Sequence, residues 1–376
     1  MRESIARVRR YTGDEALPQT YESLFARLAA RGEASARDWL ENFRRRRVGA
    51  GSEYRLYVLE QDEGAPLALF PAIYSRLYVA HPRARVLHFL QPDGQPYSPV
   101  AEHRNTVAEI SFVQPLLDHL RAERPRYDVL RASPLDPDSA FAIELAGSLK
   151  RASHPLRVER LAPGRRHSTA AISHRDFMAA RPTALHDTLR DGRAALDDSG
   201  RAAFRLIREP RDVEAGWNDY CAILDEDRYV FEGAAPDYAH GLMDVAARAG
   251  TLRLGFIDVD GSPAAVQFWQ LFGPVARCLR IWSAPEYHGR PLDDLLTEYM
   301  TRQLIDADGA AELDFGAITD AFARNWAPGS YRRIGLIAFN PRTSRGLRGA
   351  IRHLGAAAIR SVWERARGRS RSERAR

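Results

Sequence analysis

The stretch LRLGFIDVDGSPAA, Leu252–Ala265, decides how this chain is read, because it occurs twice. YRLYVLEQDEGAPLA, Tyr54–Ala68, repeats its Arg, Leu, Asp, Gly, Pro and Ala in order once Glu63 is taken as an insertion. Each copy has the form of a hairpin: an apolar, β-branched run, a turn at Asp62-Glu63-Gly64 or Asp260-Gly261, then a second apolar run. Gly64 and Gly261 supply the left-handed backbone such turns need.

The order of elements after each hairpin repeats as well. A third extended stretch is expected at Arg85–Leu90 and at Val275–Trp282. A helix comes next, near Val107–Glu123 and near Leu292–Asp306, where apolar residues keep a helical period, and then a short strand at Tyr127–Arg131 and at Glu312–Phe315. A strand meander, a helix and a returning strand make a compact mixed α/β unit, so its repetition points to duplication. The boundary is expected in 151–173, which holds Pro155, the turn-like Pro163-Gly164 and clustered Arg and His. The strand-like piece Leu156–Leu161 lies inside it. Helices over Arg175–Asp198 and Val213–Leu224 and a strand at Ala203–Ile207 then complete the second unit.

Composition agrees with two globular units. At 376 residues the chain exceeds the size at which one core keeps growing. Its 45% hydrophobic and 28% charged residues exclude a largely disordered chain. No apolar run is long enough to span a bilayer and the N-terminus lacks a signal-type apolar segment, so the expected location is cytoplasmic. Cys221 and Cys278 stand in apolar surroundings without ligand spacing and read as packing residues of a reducing compartment. The net charge of +6 raises the expectation of anionic partners such as coenzyme phosphates, RNA or anionic lipid. Beyond Pro341 an arginine-rich segment begins as an amphipathic helix and ends as a polar tail. A solvated end is the plain expectation. Peripheral contact with anionic lipid or RNA is the sharper one, with Leu354, Ile359, Val362 and Trp363 opposing the arginines.

The second hairpin, running on through Val266, Gln267 and Phe268 to Trp269, and the stretch Glu312-Leu-Asp-Phe-Gly316 followed by Asp320, Phe322, Arg324 and Trp326 are similar to the GNAT-like acetyltransferases grouped with the CelD proteins of cellulose biosynthesis. That family is related to the FemAB peptidyltransferases. Phe322 and Ala323 stand where the family usually has Tyr and Lys, while Asp314 and Trp326 match. The resemblance implies a mixed α/β fold of two tandem GNAT-like, FemAB-like lobes. Their expected bounds are 1–160 and 174–340, with a basic helix and tail over 341–376.

It also implies transfer of an acyl group to an amine, from acetyl-CoA or another acyl-CoA, or from an aminoacyl-tRNA, without metal or redox cofactor. Such chemistry needs a base for the amine's proton, an acid for the leaving group and N–H donors for the oxyanion. GNAT enzymes hold the coenzyme pyrophosphate on a glycine loop opening a helix. The corresponding loop here is Ser283–Pro291, with Trp282, Ser283, Gly289 and Arg290 as expected coenzyme contacts. Glu286 or His288 is the expected base and Tyr287 the acid, with Asp314 at a strand end orienting substrate. Gln267, Trp269, Phe322, Trp326 and Tyr331 are expected around the acceptor, an amine of an envelope or polysaccharide precursor. Asp293 and Asp294 suit the start of the next helix but repel a pyrophosphate placed there. The first lobe has no comparable loop, so it is expected to shape a cleft without catalysing. A catalytically silent scaffold with a basic tail is the alternative reading.

Overall fold

The computed structural model describes residues 7–13, 15, 17–30, 36–46, 51–61, 64–76, 83–89, 99–101, 112–199, 202–224, 236–318 and 320–355. The turn residues Asp62 and Glu63, the first part of the helix expected from Val107, and Ile359, Val362 and Trp363 lie outside them. In chain order the first elements are β1 (Arg7–Thr12), α1 (Glu22–Ala30), α2 (Ala36–Arg46), β2 (Ser52–Glu60), β3 (Pro66–Ser75), β4 (Val86–Phe89), β5 (Val100–Ala101), α3 (Val113–Ala122) and β6 (Val129–Leu135). Then come α4 (Ala140–Arg151), β7 (Leu156–Arg160), β8 (Gly164–Ser168), α5 (His174–Ala179), α6 (Thr183–Ser199), β9 (Ala202–Ile207), α7 (Val213–Ile223) and α8 (Pro236–Arg248). The rest are β10 (Leu252–Val259), β11 (Ser262–Phe272), β12 (Val275–Ser283), α9 (Leu292–Arg302), β13 (Glu312–Gly316), α10 (Asp320–Trp326), β14 (Gly329–Tyr331) and β15 (Ile334–Phe339).

Two compact units result: residues 1–28, 48–161 and 332–376 form one, and residues 29–47 and 162–331 the other. In the first unit the sheet runs β1-β2-β3-β4-β6-β15-β7, with β5 beside β3. In the second it runs β9-β10-β11-β12-β13-β8-β14. Laid side by side, the two orders match slot for slot, including one parallel pair each, β4 with β6 and β12 with β13. The two repeated hairpins are β2–β3 and β10–β11. Asp260 and Gly261 both have positive φ, 56° and 79°, as a two-residue turn between right-twisted strands requires.

The sixth slot of each sheet departs from the expected boundaries. In the first sheet it is filled by β15, from the far end of the chain, which pairs with β6 and β7. In the second sheet it is filled by β8, which pairs with β13 and β14. The stretch 151–173, expected to separate the lobes, therefore carries a strand of each sheet, and the expected span 174–340 ends in a strand of the first. Residues 29–47 also go with the second unit, where Asn42 Nδ2 donates to the Tyr238 carbonyl at 3.3 Å.

Each unit has its own core. In the first, Phe70, Phe89, Leu116, Leu120, Leu130 and Leu145 close around one face of the sheet. On its other side residues 344–355 are helical, with Ala350 buried and Leu354 packed among Val86, Val129, Ile337 and Phe339. The start of the basic segment is thus part of this unit, and Leu354 faces protein. In the second unit α9 lies over β10, β11 and β12, with Leu295, Leu296, Met300, Trp269, Phe315 and Trp326 in the core. Gly255 makes that approach possible: a Cβ there would meet Met300 Sδ at 2.2 Å.

Candidate functional site

The sequence of β12, Val-Ala-Arg-Cys-Leu-Arg-Ile-Trp-Ser, sets apolar pairs between single arginines, so no strict alternation assigns its two faces. The structure places a β-bulge within it. Phe268 pairs with Arg280 and Trp269 with Cys278, leaving Leu279 without a partner on β11. Before the bulge Ala276 and Cys278 face the α9 side, and after it Ile281 does, so the core contact is kept across the inserted residue.

On its other edge β12 pairs with β13 only at Val275, Ala276 and Arg277, opposite Glu312, Leu313 and Asp314. Beyond those residues the two parallel strands part. The opening therefore begins beside the bulged Leu279. In the first unit β4 has four consecutive pairs on each side, to β3 and to β6, and its register is unbroken.

Asp314 marks the base of the opening and is 3% exposed. It accepts from Arg277 Nε at 2.9 Å, from the Gly316 N–H at 2.8 Å and from the Tyr331 hydroxyl at 3.1 Å. The expected residues Asp314 and Tyr331 are brought together, as an anchor tying β12, β13 and β14.

The other end of β12 leads into the expected loop. Pro285–Tyr287 forms one tight turn, Gly289 has φ 89°, and α9 starts at Leu292. Glu286, His288, Gly289 and Arg290 are exposed, while Tyr287 is half-buried against the core with Arg290 Cζ 5.5 Å from its ring centre. The N–H groups of Tyr287, His288 and Arg290 all donate within the turn, to Ala284, Pro285 and Tyr287.

Beneath this turn lie two half-buried carboxylates. Ser283 Oγ donates to Asp293, and the Trp326 indole N–H donates to Asp294 at 2.8 Å. Burial pushes the Asp293 carboxyl up from its ordinary value, opposed by the Ser283 hydrogen bond and by the charge of His288. Asp294 is also pushed up by burial, opposed by Trp326 and reinforced by Asp293. The sequence identifies these residues only as helix-start acids. Their partners come from β12 and α10.

Gln267, Trp269 and Trp326 are fully enclosed and present no surface to an acceptor. Gln267 Nε2 donates to Thr297 Oγ1 at 2.6 Å, and its Oε1 accepts from the Trp269 indole at 2.8 Å. Their role in this geometry is to fix β11 against α9. Phe322 is half-buried against the same core and Ala323 is fully buried. Trp282 points to the opposite side of the sheet, toward buried Tyr220 on α7. Tyr220, with Trp217 stacked on it at 5.5 Å, is a neighbour of the opening that the spacing of motifs does not indicate.

Comparison with known proteins agrees with this geometry. Residues 184–324 match the family model of the acetyltransferase (GNAT) domain. No curated protein matches the chain in sequence. Among solved structures it is similar to FemX, at TM-score 0.54 and 10% identity over 88% of this chain and 97% of that one. It is also similar to L-PGS from Bacillus licheniformis, at TM-score 0.52 and 12% identity over 90% and 96% of the two chains. A third is the C-terminal domain of a putative lysylphosphatidylglycerol synthetase from Agrobacterium fabrum, at TM-score 0.50 and 14% identity over 81% and 89%. Identities this low establish the fold alone. The chain has a tandem GNAT fold of mixed α/β lobes, and residues 184–324, in the lobe whose central strands open, match the acetyltransferase (GNAT) domain.

Proposed function

We propose that the protein transfers an acyl group from an activated ester to an amine, at the opening between β12 and β13. The observation that carries this is the bulge at Leu279 beside the parting strands, inside the stretch that matches the GNAT domain. A bulged residue has no ladder partner, so the Leu279 N–H is a donor for the oxyanion that forms when an amine attacks a carbonyl. Tyr287 and His288 at the far end of β12 are the groups for moving protons, with Asp293 behind His288. Trp282, half-buried after the bulge, flanks the acceptor's side.

The loop bears on the donor class. A pyrophosphate needs free N–H groups and positive charge, yet three N–H groups of this turn are engaged internally and Pro291 has none. Asp293 and Asp294 put two acidic groups at the first turn of α9. These features count against the pyrophosphate of acyl-CoA, for which the Gly289 N–H, the first-turn N–H groups of α9 and the exposed Arg290 remain. An aminoacyl ester such as aminoacyl-tRNA carries no phosphoanhydride, and it is the donor favoured here. FemX and the lysylphosphatidylglycerol synthetases share the fold, which makes an amine of an envelope precursor or a lipid headgroup the acceptor class to test first.

Calorimetric titration with acetyl-CoA and with aminoacyl-tRNA separates the donors. Saturable binding of aminoacyl-tRNA and none of acetyl-CoA at millimolar concentration is expected. In the variant Asp293→Asn/Asp294→Asn, coenzyme binding should appear. Tight acetyl-CoA binding by the unaltered protein would overturn the donor assignment, and turnover with neither donor would leave a silent scaffold as the reading.

A further inference from the structure

A second cavity in the same unit, of about 480 Å³, lies between α6, β9 and α9, away from the opening of β12 and β13. Its volume falls in the range of small-molecule sites, which run roughly 300–1,000 Å³. Leu196, Ala202, Phe204, Leu295 and Tyr299 supply apolar walls. Periodicity places these walls. Ala202 and Phe204 are alternate residues of an edge strand, and Leu295, Tyr299 and Arg302 share one face of α9.

Phe204 is the unusual member. It is 40% exposed although it is a large apolar side chain on a strand, and its ring leans on Tyr299 with centroids 5.1 Å apart. One ring face is therefore left for a ligand.

The polar groups at the rim are unequal. Arg193 donates to both oxygens of Glu298, so those two charges cancel. Among the described residues neither the Arg302 guanidinium nor the Tyr299 hydroxyl has a hydrogen-bond or ion-pair partner. The two stand three residues apart on one helix face, a spacing at which side chains are neighbours. The cavity is left with one uncompensated positive charge and one hydroxyl donor above an aromatic wall. Directly after Arg302 the helix passes into a π-turn, Gln303–Ala307, a local irregularity frequent at functional sites.

We infer that this cavity binds a small amphipathic monoanion, its apolar body on Phe204 and Tyr299 and its carboxylate on Arg302 and the Tyr299 hydroxyl. A charged guanidinium pairs with carboxylate in a way it cannot with a neutral amide. A dianion would leave one charge without a partner. The reading does not depend on the acyl transfer proposed for the opening of β12 and β13.

The probe is phenylbutyrate, with phenylbutyramide as its neutral counterpart, titrated calorimetrically into the full chain. One saturable site for phenylbutyrate is expected, with the amide weaker by about tenfold, the usual size of a lost charge-assisted hydrogen bond. In Arg302→Gln the two compounds should bind alike, and Tyr299→Phe should weaken both, the carboxylate more. Phe204→Ala should weaken both. Arg248→Gln, on α8, should change neither. Equal binding of acid and amide by the unaltered protein, no saturable heat at millimolar ligand, or affinity that survives both Phe204→Ala and Arg302→Gln overturns the site.

Discussion

If Asp314 is an anchor, its effects should appear in stability and be coupled to Arg277. Asp314→Asn keeps the shape and still accepts from the Gly316 N–H and the Tyr331 hydroxyl, but it removes the charge opposite Arg277. The Arg277 side chain is only 17% exposed and the carboxylate 4%, so little water replaces the lost partner. Removing one member of a buried pair costs about 3–5 kcal/mol, and the partial exposure of Arg277 places the expected loss near about 3 kcal/mol. Arg277→Met leaves Asp314 with two donors and should cost about 2 kcal/mol. In the double variant both charges are gone, so the losses should not add, and a coupling of about 2 kcal/mol is expected. Urea unfolding followed by tryptophan fluorescence reads this unit selectively, since five of the six tryptophans, Trp39, Trp217, Trp269, Trp282 and Trp326, belong to it. A coupling below about 0.5 kcal/mol refutes the anchor. So does an Asp314→Asn protein of unchanged stability whose transfer activity is abolished, which would make the carboxylate a chemical participant.

Two further expectations test the pH behaviour of each unit. His154 is buried and bonded to the Tyr127 hydroxyl at 2.9 Å, and burial first, then Arg121, pushes its pKa down to about 4 from 6.5. The unfolded chain therefore binds the proton more readily. Stability from this group is full above pH 6.5 and is lost as pH falls toward 4, by about 3 kcal/mol at 1.36 kcal/mol per unit. The stability difference between the unaltered protein and His154→Gln should shrink by that amount across the window, measured by circular dichroism, and a parallel pH dependence would exclude the assignment. At the opening, Tyr287→Phe and His288→Ala should lower turnover more than they weaken binding. His288→Ala should also move the acidic limb of the pH–rate profile upward, because the charge that holds Asp293 down is removed. An unmoved limb disconnects His288 from Asp293.

The sequence alone determined the elements and their repetition. The Asp260-Gly261 turn, the period of α9 and the apolar runs of β10 and β11 are local facts, set by backbone preference and by which side chains share a face. The duplication emerges from reading them twice. The bulge at Leu279 was not among them, because apolar residues also stand in succession at Val275-Ala276 and Ile281-Trp282 and no local break marks it. Pairing between distant segments came instead from the packed fold. Gly164–Ser168 and Ile334–Phe339 are short runs whose neighbours in sequence suggest one sheet and whose hydrogen bonds lie in the other, because strand pairing is satisfied by any edge of matching register and leaves no local mark. The same holds for the site. Asp293, Asp294, Gln267, Trp269 and Trp326 have meaning only through partners on other elements. Whether such a side chain faces a ligand or the core is settled by what covers it, and covering is a property of the packed fold.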